Sequence, residues 1–148
     1  FSTEAIIGYT IGKKSKNAFL KTVTNAFQLS LFSALLISLI YLISFRYIIN
    51  ELTDLDYLKF LMFNYIIWII IIPPIASICY QFDGIFIGAS QTAEMRNAMI
   101  ISVFLFISSS HFLVNNFGNH GLWLSLLFFM IMRSLTLNFY FNRILKKF

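Results

Sequence analysis

Long apolar runs separated by short polar breaks organise the whole chain. The first run, residues 1–11, ends at the basic break Gly12-Lys13-Lys14-Ser15-Lys16. As a helix it would rise only about 17 Å against a hydrocarbon core of roughly 30 Å, so it reads as a partial helix and the chain as a fragment that begins mid-helix. The second run, 24–47, is one full span. The polar link Asn50-Glu51-Leu52-Thr53-Asp54-Leu55-Asp56 leads into a run over 58–90, longer than a straight crossing needs. Pro73-Pro74 near its middle predict a kink or break, because proline has no amide proton and its ring crowds the preceding turn. The carbonyls freed there must be satisfied by neighbouring helices or water. Polar residues 91–97 precede a span over 98–114, Asn115 to His120 form a turn rich in Asn and Gly, and the last span covers 121–142. Transmembrane strands would instead show short alternating segments. The pattern predicts an all-α, polytopic transmembrane helix bundle of four full spans plus a partial first helix, with no soluble domain, linker or low-complexity tail.

Composition and charge sharpen this picture. With 59% hydrophobic and 11% charged residues, against about 25% charged in an ordinary soluble domain, the chain cannot cover its apolar surface with polar groups, and its first partner is the lipid bilayer. A net charge of +5 does not point to nucleic acid, because the cations cluster at the ends of apolar runs. One side receives Lys13, Lys14, Lys16, Lys21, Arg96, Arg143, Lys146 and Lys147, and the other only Arg46 and Lys59. The richer side marks the cytoplasmic face, which makes the C-terminus cytoplasmic. Tyr47, Tyr65, Trp68 and Trp123 toward the outer ends, with Tyr9 and Tyr140 toward the inner ends, agree with aromatic belts. The single Cys79 excludes a disulfide framework or cysteine metal site and reads as packing.

Candidate chemistry centres on Asp83, an ionisable residue inside an apolar run. Such a group costs roughly 2.5–3.5 kcal/mol to insert, and commonly lines a path for ions or substrate. Gly84 and Gly88, four apart, allow a neighbouring helix to come close, and Gly8 and Gly12 repeat that spacing in the first helix. Glu4 lies eight residues before Gly12, Asp83 eight before Gln91 and Arg133 nine before Asn142. Each charge therefore sits roughly 12–14 Å inside the same boundary, in one layer. An Arg at that depth needs an acid or water, so an Asp83–Arg133 interaction is expected, with Glu4 nearby. Burial favours the neutral acid and a guanidinium favours the carboxylate, so the approach of Arg133 could switch the protonation of Asp83. The competing reading is a fixed ion pair that orients two helices. His111 reads as an interfacial histidine rather than a proton relay, and His120 as a loop residue. Ser108-Ser109-Ser110, Asn64 and Asn138 read as interhelical hydrogen-bonding groups before cavity-lining ones. The stretch from Gly8 to Ser15 has the wrong spacing for a phosphate loop and no preceding strand. No nucleophile triad, metal cluster or dinucleotide fingerprint occurs, so nothing supports an enzyme or a bound cofactor.

The segment Asp83-Gly84-Ile85-Phe86-Ile87-Gly88-Ala89-Ser90-Gln91-Thr92-Ala93-Glu94-Met95-Arg96-Asn97-Ala98-Met99 resembles the tenth helix and following loop of multidrug and toxic compound extrusion (MATE) transporters, in their DinF-like branch. Glu4-Ala5-Ile6-Ile7-Gly8-Tyr9-Thr10-Ile11-Gly12 resembles the end of the eighth helix, and Gly121-Leu122-Trp123 with Arg133 the twelfth. The resemblance implies that residues 1–148 belong to the carboxy-terminal lobe of a twelve-helix, two-lobe transporter of the bacterial inner membrane, whose amino-terminal lobe is missing here. It implies proton- or sodium-coupled antiport of amphipathic, often cationic compounds by alternating access, with no cofactor beyond the coupling ion. The usual coupling candidate of this branch, an aspartate of the first helix, would lie in the missing lobe, and Asp83, Arg133 and Glu4 are the pathway candidates here. One alternative is a lipid-linked oligosaccharide flippase of the same superfamily, which should carry more cavity cations than Arg133 alone. Another is a structural membrane subunit. A membrane-embedded enzyme using Asp83 and His111 is disfavoured by their different depths. Alternating access needs two repeats around a central site, so these residues alone should not transport.

Overall fold

The computed structural model describes residues 2–146 and 148, and among them it contains five helices and no strand. Phe1, where the partial helix was expected to begin, and Lys147, counted among the cytoplasmic cations, lie outside the described residues. The helices are α1 (Ser2–Gly12), α2 (Lys16–Leu52), α3 (Asp56–Gly88), α4 (Thr92–Phe117) and α5 (Asn119–Leu145). All but α1 are long and apolar enough to cross a membrane.

Each expected span lies within a helix, but the helices run on into the polar flanks. Thus α2 starts at Lys16 rather than near 24, and α4 at Thr92 rather than 98. An apolar window marks the hydrocarbon thickness, whereas a helix ends where its terminal amides and carbonyls find other partners. Ser15 supplies such a partner, its hydroxyl accepting the Ala18 N–H at 3.4 Å. The run expected to reach 90 stops at Gly88, followed by Ser90 in a left-handed conformation. The expected turn over 115–120 contracts to Gly118, at φ 56°, whose N–H donates to the Val114 carbonyl.

Side-chain pairs give the directions of packing. Phe27–Phe82, Ser38–Ile70 and Phe45–Phe63 run in opposite order, so α2 and α3 form an antiparallel hairpin. Phe106–Phe129 and Glu94–Arg143 define a second hairpin of α4 and α5. The Thr3–Gln81 hydrogen bond and the Gly8–Gly88 approach set α1 parallel to α3. Trp68–His120, the Ala76–Cys79–Met130 cluster and Asp83–Arg133 set α5 parallel to α3. Helix α3 packs against all four others and is the hub of the bundle.

The larger core lies at the end where α1, α3 and α5 terminate, built from Ile7, Phe19, Val23, Ile85, Phe86, Ala89, Ala98, Leu137 and Ile144. Away from it the apolar faces point outward: only 11% of the most apolar stretch of each of α2, α3 and α4 is buried. Ile43, Phe104 and Phe139 are all at least 70% exposed. Such surfaces require lipid or protein around them, and the chain is a multi-pass membrane protein.

The prolines do not break α3, which continues from Asp56 to Gly88 through both. Pro74 leaves the Ile70 carbonyl without its helical donor, and the hydroxyl of Ser38 on α2 donates to that carbonyl at 2.9 Å. A neighbouring helix thus satisfies one of the two freed acceptors, so the chain stays helical. The glycines divide. A Cβ on Gly88 would lie 2.5 Å from the Glu4 carbonyl oxygen and 2.9 Å from Ile7 Cβ, so α1 crosses α3 directly over Gly88. Gly8 faces the Gly88 carbonyl from the other side of this crossing, at 3.4 Å from its Cβ position. At Gly84 an added Cβ would meet only ordinary contacts at 3.7 Å or more. Gly12, expected to serve packing, faces open space, because it extends about a turn beyond the point where α3 ends. The tightest approach falls on Gly121, where a Cβ would collide with the Leu113 backbone of α4.

Gly88→Ala should therefore destabilise the protein by about 1–3 kcal/mol through overpacking, while Gly84→Ala should be close to neutral, as thermal unfolding in detergent would measure. Ser38→Ala should cost about 0.6 kcal/mol in the native background and measurably less beside Pro74→Ala, which restores a backbone donor to Ile70.

Candidate functional site

The α3–α5 contact brings Asp83 and Arg133 together inside the bundle. Arg133 Nε and Nη2 both donate to Asp83 Oδ1, at 3.1 and 2.9 Å, and Nη1 reaches Sδ of Met99 on α4. One guanidinium therefore joins three helices. The side chains are 9% and 19% exposed for Arg133 and Asp83. In so dry a setting a charge-assisted bond is stronger than in water, and an unpaired charge is costlier. Both donors converge on one carboxylate oxygen. Oδ2 makes no hydrogen bond among the described residues.

Local sequence explains this placement. Arg133 follows an uncharged stretch of α5 over 119–132, and its partners are the helices packed on either side. Asp83 precedes the small-residue face of α3, where the missing side chain of Gly84 admits Thr3 and Glu4 of α1. Glu4 Cγ lies 3.8 Å from the Cβ position of Gly84, which sets Glu4 beside the residue next to Asp83. Nearby, Thr3 Oγ1 donates to Gln81 Oε1 at 3.1 Å. The three charged residues expected in one layer thus sit around one stretch of α3.

A cleft of about 480 Å³ opens beside the pair, between α2, α3 and α5. Phe27, Leu31, Ile78, Phe82 and Leu135 give it apolar walls, and Gln28, Ser134 and Asn138 supply polar groups. Phe82 and Ser134 are the chain neighbours of Asp83 and Arg133. Size and lining match small-molecule sites, which are largely apolar with a few placed polar groups. Among the described residues, no group of three or more His, Cys, Asp and Glu is placed to hold a metal.

Other candidates fall differently. Ser108, Ser109 and Ser110 donate to the Phe104, Phe106 and Ile107 carbonyls of their own helix, so these bonds are intrahelical rather than interhelical. A serine hydroxyl reaches the preceding turn of its own helix without any partner helix. His111 and Asn64 are exposed. His120 is no loop residue: it lies in the first turn of α5 and its Nδ1 accepts the Trp68 indole N–H at 2.9 Å. Sequence reasoning also missed the Glu94–Arg143 pair at 3.1 Å, where Arg143 further covers the Tyr140 ring at 4.9 Å. An acid in the first turn of one helix and a base in the last turn of the next was the available signal, since an antiparallel hairpin places those turns side by side.

The chain is 36% identical over 137 residues to DNA damage-inducible protein F of Escherichia coli (strain K12). The chain is a relative of that protein. The alignment takes in 93% of this chain but 30% of the relative, so the chain spans less than a third of the protein it matches. No family model matches the chain, and no solved structure matches it at a significant level.

Removing one member of the Asp83–Arg133 pair should be worse than removing both. Arg133→Ala should cost about 3–5 kcal/mol at most, by stranding a mostly buried carboxylate. Asp83→Asn combined with Arg133→Gln should recover a large part of that loss in thermal unfolding. Additive losses would mean that the two side chains are not energetically coupled.

Proposed function

We propose that this chain is part of the carboxy-terminal lobe of a MATE-type exporter related to DNA damage-inducible protein F, working with an amino-terminal lobe absent from these residues. The observation that carries the proposal is the Asp83–Arg133 pair in a polytopic relative of that protein, beside an apolar cleft of small-molecule size. In this reading the protein is a secondary active transporter of the bacterial inner membrane and not an enzyme. Its basic end, with the C-terminus, faces the cytoplasm. It exports amphipathic, often cationic compounds by alternating access, driven by protons or sodium.

The contact geometry supports a coupling step at this pair. With Asp83 ionised, Arg133 holds α5 against α3 and reaches Met99 of α4. A proton on Oδ2 neutralises the carboxylate and weakens both bonds to Oδ1, because charge-assisted hydrogen bonds are roughly twice as strong as neutral ones. The guanidinium must then find another acceptor, and α5 gains freedom to move relative to α3. A sodium ion would compete with Arg133 for the same carboxylate. Glu4, beside Gly84, is the nearby acid on α1 that would share the proton or ion path. In the fixed-pair alternative the same bonds orient the helices and never open.

The full-length protein separates these readings. At equal membrane abundance, Asp83→Asn should abolish cellular resistance to toxic cations and proton-driven export from proteoliposomes, while leaving substrate binding measurable. Undiminished export by that variant would reduce the pair to a structural role.

A further inference from the structure

A second polar contact joins the same two helices at the opposite end of their interface. Trp68, buried at 8% exposure on α3, donates its indole N–H to Nδ1 of His120 at 2.9 Å, and the Tyr65 ring lies 4.6 Å from the imidazole centroid. Indole nitrogen is a donor only, so this bond requires a lone pair on Nδ1 and places the single imidazole proton on Nε2. Protonation at Nδ1 would turn two donors toward each other.

We propose that His120 is a proton-operated latch between α3 and α5. Neutral His120 holds Trp68 and closes the helix pair at this end, and the imidazolium releases the indole and lets the two helices part there. Histidine is the side chain whose unperturbed charge change falls between about pH 5 and 8. The groups facing it are few. From α3 they are the neutral Tyr65 and Trp68; on that helix Asp56 and Lys59 lie nine and six residues before Tyr65. Helix α4, packed on this end through Leu113, has only His111 as a titratable side chain over 97–117, and it is exposed. In α5 no charged residue precedes Arg133. Arg46 and Glu51 belong to α2, which packs on α3. No carboxylate or cation pairs with His120 among the described residues, so its protonation has no salt bridge to compensate the lost indole bond. Between the two ends, Ala76, Cys79 and Met130 form an apolar contact insensitive to protons. The latch operates whatever the cargo and whichever ion Asp83 binds.

Spin labels on Ile67→Cys and Leu122→Cys, both at exposed positions, would read the separation of α3 and α5 at this end, in the full-length protein in lipid nanodiscs with its other cysteines replaced. A longer-distance population should rise several-fold between pH 8 and pH 5. His120→Gln keeps a neutral acceptor and should hold the short distance at both pH values, whereas Trp68→Phe removes the donor and should show the longer population at both. A distribution unchanged with pH, or a pH response that survives His120→Gln, would overturn the latch. Size-exclusion profiles at each pH confirm folding, and if Trp68→Phe does not fold, His120→Gln alone decides.

Discussion

Arg133 cannot stand inside a bilayer-spanning helix without an acceptor, and that requirement governs how the bundle is assembled. The acceptor is Asp83 of α3, at 2.9 Å, with Met99 of α4 against the remaining nitrogen. A guanidinium offers five donors in a planar fork, so one side chain engages two helices at once, which a lysine could not do with the same geometry. Helix α5 is thereby positioned against α3 and α4 together. The contact also limits its own contribution to stability, since two desolvated charges offset much of their attraction. Its value lies in selecting one register of α5 along α3, because sliding by a turn would strand both charges in a medium that offers no alternative partner.

Backbone constraints act on the same hub helix. Its glycines and prolines oppose regular structure, yet Gly88 and Pro74 are each matched by a neighbouring helix. Gly88 lets the α1 backbone come over α3, and this crossing brings Thr3 to Gln81 and Glu4 beside Gly84. Pro74 leaves an open carbonyl at Ile70, and Ser38 fills it. Helix α3 is therefore held by different means on each side: backbone proximity toward α1, a hydroxyl and aromatic pairs toward α2, and polar contacts toward α5. Without water in the hydrocarbon region every such polar group needs a protein partner, and this converts local irregularities into specific interhelical contacts.

What was legible in the sequence follows the same division. The four long helices were readable because lipid demands long apolar runs, and the Asp83–Arg133 contact because charges at equal depth in a membrane have few partners. Helix ends were less readable, as at Lys16 and Thr92, since hydropathy reports the hydrocarbon boundary and is silent about capping. Ser38 could not be chosen among the many serines without knowing which face of α2 meets Pro74. The fate of Ser108 to Ser110 was misread for a related reason: a hydroxyl can bond its own helix as well as another, and composition does not distinguish the two. Gly12 and Gly121 show that spacing alone is a poor guide to close packing. The glycine with a partner four residues away lies in open space, and the one without it carries the tightest crossing.

The α3–α5 interface unites these observations. Its two ends are polar and differ in chemistry: at one a carboxylate accepts from Arg133, and at the other an imidazole nitrogen accepts from Trp68. In the proposed reading a proton weakens either contact, and the Ala76–Cys79–Met130 layer between them is apolar. On that reading the packed centre would serve as a pivot with a separable contact on either side. Protons arriving from one face of the membrane would loosen one end while the other stays closed. That is the asymmetry a carrier needs, because a pair that opened at both ends together would form a leak.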